Sequence, residues 1–167
     1  HILAQRGIGY ADASAELGGI VGEVLLEPTR LYTTPLLDLI GALPGAVHAL
    51  SHVTGGGIAA NLARVLPQSS WVELDRASWS PPSVFRVLSD MAGSTLVSAE
   101  GTWNLGVGMI AVVRTDAAAA VCAHLAARGI PAWTMGQVST TVRDFGGFEV
   151  GAKGVDGGAV RLTGAYA

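Results

Sequence analysis

The sequence is poor in cysteine and in charge, and both shortages narrow the possible functions. The one cysteine, Cys122, cannot form an internal disulfide, and its alanine-rich surroundings predict a buried, inert thiol on a helix. Ten basic residues stand against 13 acidic ones, which gives a net charge of −3 and a pI near 5.7. The basic residues are scattered rather than clustered, so the sequence carries no electrostatic footprint for nucleic acid. We therefore expect no nucleic-acid partner.

Long apolar runs are also missing, although half of the 167 residues are hydrophobic. No uninterrupted apolar stretch reaches the length of about 20 residues that a helix needs to cross a bilayer, so we expect no membrane association. The hydrophobic content is sufficient for a core, and the length fits one domain over residues 1–167. A single thiol and the lack of a span favour a reducing, cytoplasmic location.

Helical and strand periodicities alternate along the chain, which predicts a layered α/β domain. The glycine-rich stretch from residue 144 onward is expected to be mostly loop, with short strands over residues 148–150 and 159–163. The alanine-rich helix is expected to begin with Thr115 or Asp116 as its N-cap. The other predicted helices cover residues 35–43, 58–66 and 83–91, and the other predicted strands cover residues 46–53, 71–74, 95–99, 107–113 and 133–138.

The most informative segment is a strand that runs into three consecutive glycines and then directly into an amphipathic helix. Glycines let a ligand approach the main chain closely, and amides at the start of a helix attract anions. The segment therefore predicts a phosphate or other anion site; a tight strand-to-helix turn is the alternative. We call its residues the glycine loop: Thr54, Gly55, Gly56 and Gly57.

Two known phosphate signatures are absent from this segment. It has neither the Lys-Ser/Thr ending of a phosphate-binding P-loop nor the second spaced glycine of a dinucleotide fingerprint, so the anion stays unidentified. On the helix that follows, Asn61 and Arg64 are predicted on the face opposite the apolar stripe. They are expected to point toward a ligand or partner, with a solvated polar face as the alternative.

Two histidines lie on one strand, His48 and His52. At about 3.3 Å per residue they stand roughly 13 Å apart, which is too far to hold one metal ion. His52 comes immediately before the glycine loop, where an imidazole can bind a phosphate or transfer a proton near neutral pH. His52 is therefore the candidate catalytic residue, and a purely structural histidine is the alternative.

A second pair of glycines, Gly106 and Gly108, leads into a strand rather than a helix, which excludes a dinucleotide fold at this point. Close packing or a bulge explains these glycines equally well. Upstream, Thr29 and Arg30 offer a hydroxyl and a guanidinium for a phosphate or carboxylate, with a surface salt bridge as the alternative.

Five ordered segments together resemble aminoimidazole ribonucleotide synthetase, the phosphoribosylformylglycinamidine cyclo-ligase family. The segment at 52–67, HVTGGGIAANLARVLP, is similar to the family's HITGGG-x-x-EN-x-x-RVLP signature. The other four resemble LL-x-PTR-x-Y, SW-x-x-P-x-x-F, TFN-x-GVGM and W-x-IG-x-V. They are residues 25–32, 78–85, 102–109 and 132–138.

The resemblance implies the C-terminal half of that enzyme, with a mixed, mainly four-stranded sheet covered by helices. It also implies that the ATP-binding N-terminal half is absent from this chain. The full enzyme is expected to be a homodimer that uses ATP and magnesium, bound mainly by the other half, to convert a phosphorylated substrate in a cleft between the halves. The family pattern places Asn104 near that cleft, with Thr102 as a further candidate. The sequence departs from the pattern at Ala60, Gly101 and Trp103.

Two other readings remain open. One is a noncatalytic module of the same fold that binds a phosphate ligand or serves in assembly. The other is a related ATP-dependent enzyme, such as formylglycinamidine ribonucleotide synthase or selenophosphate synthetase, although the PTR-x-Y, SW and GVGM segments favour the cyclo-ligase.

Overall fold

The computed structural model describes residues 1–152 and 154–167 and confirms a mixed α/β architecture. The sheets are smaller than the expected four strands, since two antiparallel strands form one sheet and three mixed strands form another. The helices are α1 Ile2–Gln5, α2 Val21–Leu25, α3 Thr33–Ala42, α4 Gly57–Ala63, α5 Ser83–Met91, α6 Leu96–Ala99 and α7 Ala118–Ala126. The strands are β1 Ala13–Ser14, β2 Gly19–Ile20, β3 Val47–His52, β4 Trp71–Asp75, β5 Met109–Val113, β6 Glu149–Ala152 and β7 Val155–Thr163.

Two layers of apolar side chains hold these elements together. Helices α3 and α7 bury Leu39 and Val121 against the β3–β5 sheet. Helix α4 buries Ile58 and Leu62 in a second cluster with side chains of β4 and β7, including Leu74. Helix α4 therefore packs its apolar side against the three-stranded sheet. Because the glycine loop leads directly into this helix, the packing fixes the position of the loop.

The C-terminal tail is less loop-rich than expected, because the two short strands predicted there, over residues 148–150 and 159–163, are present as β6 and as the longer β7. Strand β7 pairs in parallel with β4 and antiparallel with β6, so the glycine-rich tail supplies two of the three strands of its sheet. The amide of Ala159 also bonds the carbonyl of Ser70, which joins the tail to the chain just before β4. The paired residues of β4 and β7 are 88 positions apart in sequence, as in Trp71 with Ala159, and local composition cannot reveal such pairing.

The segment predicted as a strand over residues 133–138 forms no regular strand, but it runs alongside β4 and is hydrogen-bonded to it. Trp71 and Ser139 exchange backbone hydrogen bonds of 2.8 Å in both directions, and the Asp75 amide donates to the Met135 carbonyl at 2.9 Å. These bonds share one antiparallel register. The segment therefore adds an irregular fourth row beside the β4–β7–β6 sheet.

Two further local predictions are wrong for identifiable reasons. The strand expected over residues 95–99 is helix α6, because the Thr95 hydroxyl accepts a hydrogen bond from the Ser98 amide and caps a helix start. Neither Thr115 nor Asp116 caps the alanine-rich helix, since both lie in a 3₁₀ turn that precedes α7. Cys122 is half-buried rather than buried. Among the described residues, no helix is long and apolar enough to traverse a bilayer.

Candidate functional site

The ends of strands β3 and β5 bring the resembling segments together. His52, the last residue of β3, is paired with Met109 at the start of β5, and the Val53 amide donates to the Gly108 carbonyl at 2.9 Å. The phenol of Tyr32 reaches the same point, because a β carbon built on Gly108 would lie 2.2 Å from its oxygen. His52 itself is exposed at this end of the sheet. The structure thus places His52 beside three of the five segments.

The glycine loop turns sharply between β3 and α4. Gly56 has a φ of 106° and Gly57 a φ of 73°, in the left-handed region that favours glycine. The Gly57 amide donates to the Thr54 carbonyl at 3.2 Å, which closes the turn internally. A β carbon on Gly57 would lie 1.6 Å from the carbonyl oxygen of Glu100, so this glycine is also required by the close approach of another segment.

The prediction that Asn61 points toward the open side of α4 is wrong. Its side chain is fully buried, and its amide nitrogen donates to the carbonyls of Gly57 at 2.6 Å and Thr54 at 3.2 Å. Both carbonyls belong to the glycine loop, and the bond to Gly57 is buried while the bond to Thr54 is partly buried. Asn61 therefore holds the loop from behind and does not face a ligand.

Arg64 lies at the opposite end of α4 from the loop. It is the C-cap residue of the helix and is half-buried. Seven residues separate it from Gly57, which amounts to about 10 Å along a helix axis. The structure therefore does not bring Arg64 to the glycine loop.

A partly buried ion pair supports the segment that touches Gly57. The Arg76 guanidinium donates to both oxygens of the Glu100 carboxylate, at 2.6 Å from Nε and 2.9 Å from Nη2. The Tyr166 hydroxyl donates to Oε1 of the same carboxylate at 2.6 Å. We call these three residues the Arg76 cluster. The side chains of the ion pair are only 13% and 14% exposed, so solvent screens this pair weakly.

The protonation of this cluster follows from its contacts. Hydrogen bonding to Glu100 raises the pKa of the Arg76 guanidinium. Burial, followed by the bond to Glu100, raises the pKa of the Tyr166 phenol. Both groups therefore remain donors to the carboxylate across the neutral range.

The segment after Glu100 ends in a tight turn at Asn104. The Asn104 Oδ1 accepts a 3.0 Å bond from the Gly106 amide, and Leu105 adopts a φ of 49°. The indole of Trp79 donates to the Leu105 carbonyl at 3.2 Å. The Asn104 side chain thus acts as an acceptor within its own turn, while Thr102 stays exposed just before it.

A cavity of about 1060 Å³ lies alongside β5, and mostly apolar side chains line it. Among the residues predicted from sequence, Thr29, Arg30 and Asn104 contribute to its wall. His52, the glycine loop, Asn61 and Arg64 are not among its lining residues. The cavity reaches the strand ends near His52, since Tyr32, Gly108 and Met109 also line it, but His52 and the glycine loop themselves lie outside its wall.

The described residues were also tested for a magnesium site. Within residues 1–152 and 154–167, no three His, Cys, Asp or Glu side chains come together in a way that could hold a metal ion. Magnesium prefers carboxylate and water oxygens in octahedral geometry. The described residues therefore do not fit a magnesium ion.

Sequence reasoning missed the Arg76 cluster. Arg76 and Glu100 are 24 residues apart, and Tyr166 follows 66 residues after Glu100. Arg76 stands two residues before the SW segment, and Glu100 stands two residues before the segment that resembles TFN-x-GVGM. This adjacency to two motifs is the one signal that could have drawn attention to the pair.

The fold and these segments define a class of protein. Residues 1–146 match the family described as AIR synthase related protein, C-terminal domain, and the chain belongs to that family. It is 44% identical over 136 residues to the phosphoribosylformylglycinamidine cyclo-ligase of Sorangium cellulosum and 42% identical over 123 residues to that of an Anaeromyxobacter species. It is also 43% identical over 169 aligned positions to a protein of Streptomyces fradiae that is provisionally named as the same ligase.

The share of each relative that is covered differs. The alignments take in 80% and 73% of this chain but only 38% and 35% of the Sorangium and Anaeromyxobacter proteins. The alignment with the Streptomyces protein takes in 100% of this chain and 86% of that protein. The chain thus spans little more than a third of two of these relatives.

Proposed function

We propose that this chain is the C-terminal domain of an ATP-dependent cyclo-ligase that converts formylglycinamidine ribonucleotide to aminoimidazole ribonucleotide in purine biosynthesis. The observation that carries the proposal is the convergence of the resembling segments at the ends of β3 and β5. There His52 pairs with Met109, Val53 bonds Gly108, and Tyr32 contacts Gly108. The names of the relatives support the same activity.

Ring closure needs an amine of the substrate to attack its formyl carbon while the formyl oxygen leaves. When bound, ATP supplies the phosphoryl group that makes this oxygen a leaving group. The imidazole of His52 is exposed at the strand end and can accept the proton that the attacking amine loses. The Gly57 amide is used inside the turn, so it is the exposed part of the glycine loop, at Thr54 and Gly55, that offers main chain for close approach of a phosphate, with the loop kept in shape by Asn61.

The rest of the proposed enzyme lies outside this domain. We assign the nucleotide-binding loops and the magnesium ligands to an N-terminal half, with the substrate held in a cleft between the halves. The whole protein is proposed to act as a homodimer in the cytoplasm. Thr29, Arg30, Thr102 and Asn104 are retained as candidate substrate contacts, and Arg64 as a contact to the partner half.

A chimera tests this function. The present chain replaces the aligned part of the Sorangium cellulosum relative, and formation of aminoimidazole ribonucleotide from its precursor and ATP is measured. The proposal expects turnover within about tenfold of the parent enzyme. A domain with this function must fit the other half of the enzyme at most of the positions where the two halves touch. A folded chimera that lacks turnover, while this chain alone binds inorganic phosphate, would instead support the noncatalytic module.

Two matched histidine variants sharpen the test. H52N in the chimera should lower kcat by about 100-fold or more, which is the usual contribution of one acid–base group. H48N provides the control, because His48 is also exposed on β3 but lies at its other end. Equal effects of the two substitutions would remove His52 from the chemistry.

A further inference from the structure

A chain of contacts connects the C-terminus of the protein to the glycine loop. It begins at Tyr166, whose hydroxyl donates to Glu100, and at Gly164, whose carbonyl accepts a 3.1 Å bond from Arg76 Nη1. It ends where the Glu100 carbonyl lies against the α carbon of Gly57. The side chain of Glu100 and its backbone thus face two different parts of the molecule.

At the other end of this chain of contacts, Arg76 and Tyr166 are fixed in place by the three-stranded sheet. Arg76 directly follows strand β4, and residues 164–166 directly follow strand β7, its parallel partner. The Tyr166 ring packs edge-on against Trp79 with centroids 5.2 Å apart. Because both strands belong to the three-stranded sheet, the carboxylate of Glu100 is held by the sheet through three side-chain hydrogen bonds.

At the glycine loop, no free space separates Gly57 from the Glu100 backbone. A residue with any β carbon at position 57 would clash with the Glu100 carbonyl, so the loop and the Glu100 backbone are in van der Waals contact. A movement of Glu100 by a few tenths of an ångström must therefore change the conformation of Gly57 or open a gap beside it. The segment that continues from Glu100 to Asn104 would move with it.

We propose that Glu100 is a positioning residue of the candidate site, held by Arg76 and Tyr166, and that it sets the shape of the glycine loop and the placement of the Asn104 turn. The inference deepens the proposed function and, for its effect on catalysis, rests on it. Glu100 acts through the backbone and makes no contact with substrate. The Arg76 cluster therefore fixes the position of the glycine loop relative to the three-stranded sheet.

The test compares the same substitution at two carboxylates in this chain. E100Q keeps the shape of the side chain but gives up the charge-assisted bonds to Arg76, while Y166F removes only the phenol donor. E73Q is the control, because the Glu73 carboxylate is also paired with arginine, here with both Arg143 and Arg161. Amide NMR signals of residues 55–58 are recorded for all three variants without any ligand.

E100Q should shift these loop signals and speed their hydrogen exchange by about tenfold, and Y166F should have a smaller effect in the same direction. E73Q should leave the loop signals in place. Should E100Q unfold, Y166F decides alone, since it retains the ion pair. Loop signals that stay unchanged in Y166F and in a folded E100Q would overturn the proposal.

Kinetics in the chimera separate positioning from general stability. E100Q should raise KM for formylglycinamidine ribonucleotide by about tenfold and Y166F by about threefold, whereas E73Q should leave KM unchanged. An equal rise in KM for E73Q would show a nonspecific loss of stability and would contradict the inference. If the unsubstituted chimera is inactive, the proposed function fails, but the ligand-free amide signals still decide the role of Glu100.

Discussion

The sharpest prediction concerns two asparagines that use their side chains in opposite ways. Asn61 donates from its amide nitrogen to two buried loop carbonyls, whereas Asn104 accepts at its carbonyl oxygen from an amide. An Asn-to-Asp substitution keeps the acceptor and removes the donor. N61D should therefore be costly, and N104D should be almost neutral.

The magnitude follows from the contacts. N61D removes both bonds and places a buried carboxylate against two carbonyl oxygens, although the Thr54 carbonyl keeps its bond from the Gly57 amide. The free energy of unfolding should therefore fall by about 3–5 kcal/mol at pH 7. N104D keeps the bond from Gly106 at a partly exposed turn and should change it by less than about 0.5 kcal/mol.

Urea denaturation followed by circular dichroism measures both differences. The stability difference between N61D and the unsubstituted protein should also depend on pH. Burial should raise the pKa of the carboxyl group that N61D introduces, and its protonated form can donate one bond, so the deficit should shrink as the pH falls. Comparable stabilities of N61D and N104D at pH 7 would refute the role given to Asn61.

Two other predictions concern stability. G57A should lower the free energy of unfolding by about 3 kcal/mol, because the new methyl group meets the Glu100 carbonyl and the φ of residue 57 is positive. G55A should change the free energy of unfolding by less than about 1 kcal/mol, since no atom lies within 4 Å of its β carbon. Equal losses for the two variants in urea titrations would contradict this contrast. Hydrogen bonding from Arg161 lowers the pKa of Glu73 below its ordinary value of 4.5, so this stabilisation is present above that value and is lost as the pH falls through the lower folded pKa. E73Q should therefore flatten the acid dependence of the urea midpoint below about pH 4.5, and an unchanged slope would count against the ion pair.

The local part of the fold could be predicted from the sequence. Helix α5 has the bounds that its periodicity predicts, Ser83–Met91, and strand β3 lies within its predicted range. Errors arose where a single side chain decided the outcome, as at Thr95, whose hydroxyl caps a helix in a segment that reads as a strand. They also arose where distant pairing decided the extent of a strand, as in β7, which covers Val155–Thr163 because it pairs with both β4 and β6, whereas the sequence predicts a strand only over residues 159–163.

The candidate site shows the same division. The glycine loop could be located from sequence because two of its three glycines, Gly56 and Gly57, are required by backbone geometry, which leaves a local mark. The orientation of Asn61 could not be predicted, since helical periodicity places it on the polar face while two loop carbonyls draw it inside. The Arg76 cluster left no mark beyond its position beside two motifs, because its members join only when β4, α6 and the C-terminal residues are assembled.

The measurement that tests the account most directly is hydrogen exchange of the chimera with and without formylglycinamidine ribonucleotide, read peptide by peptide. The account predicts that substrate slows exchange in the peptide that carries His52 and the glycine loop. Protection confined to the cavity wall around Arg30 and β5, with the loop unaffected, would contradict it and would place the substrate at the other candidate site.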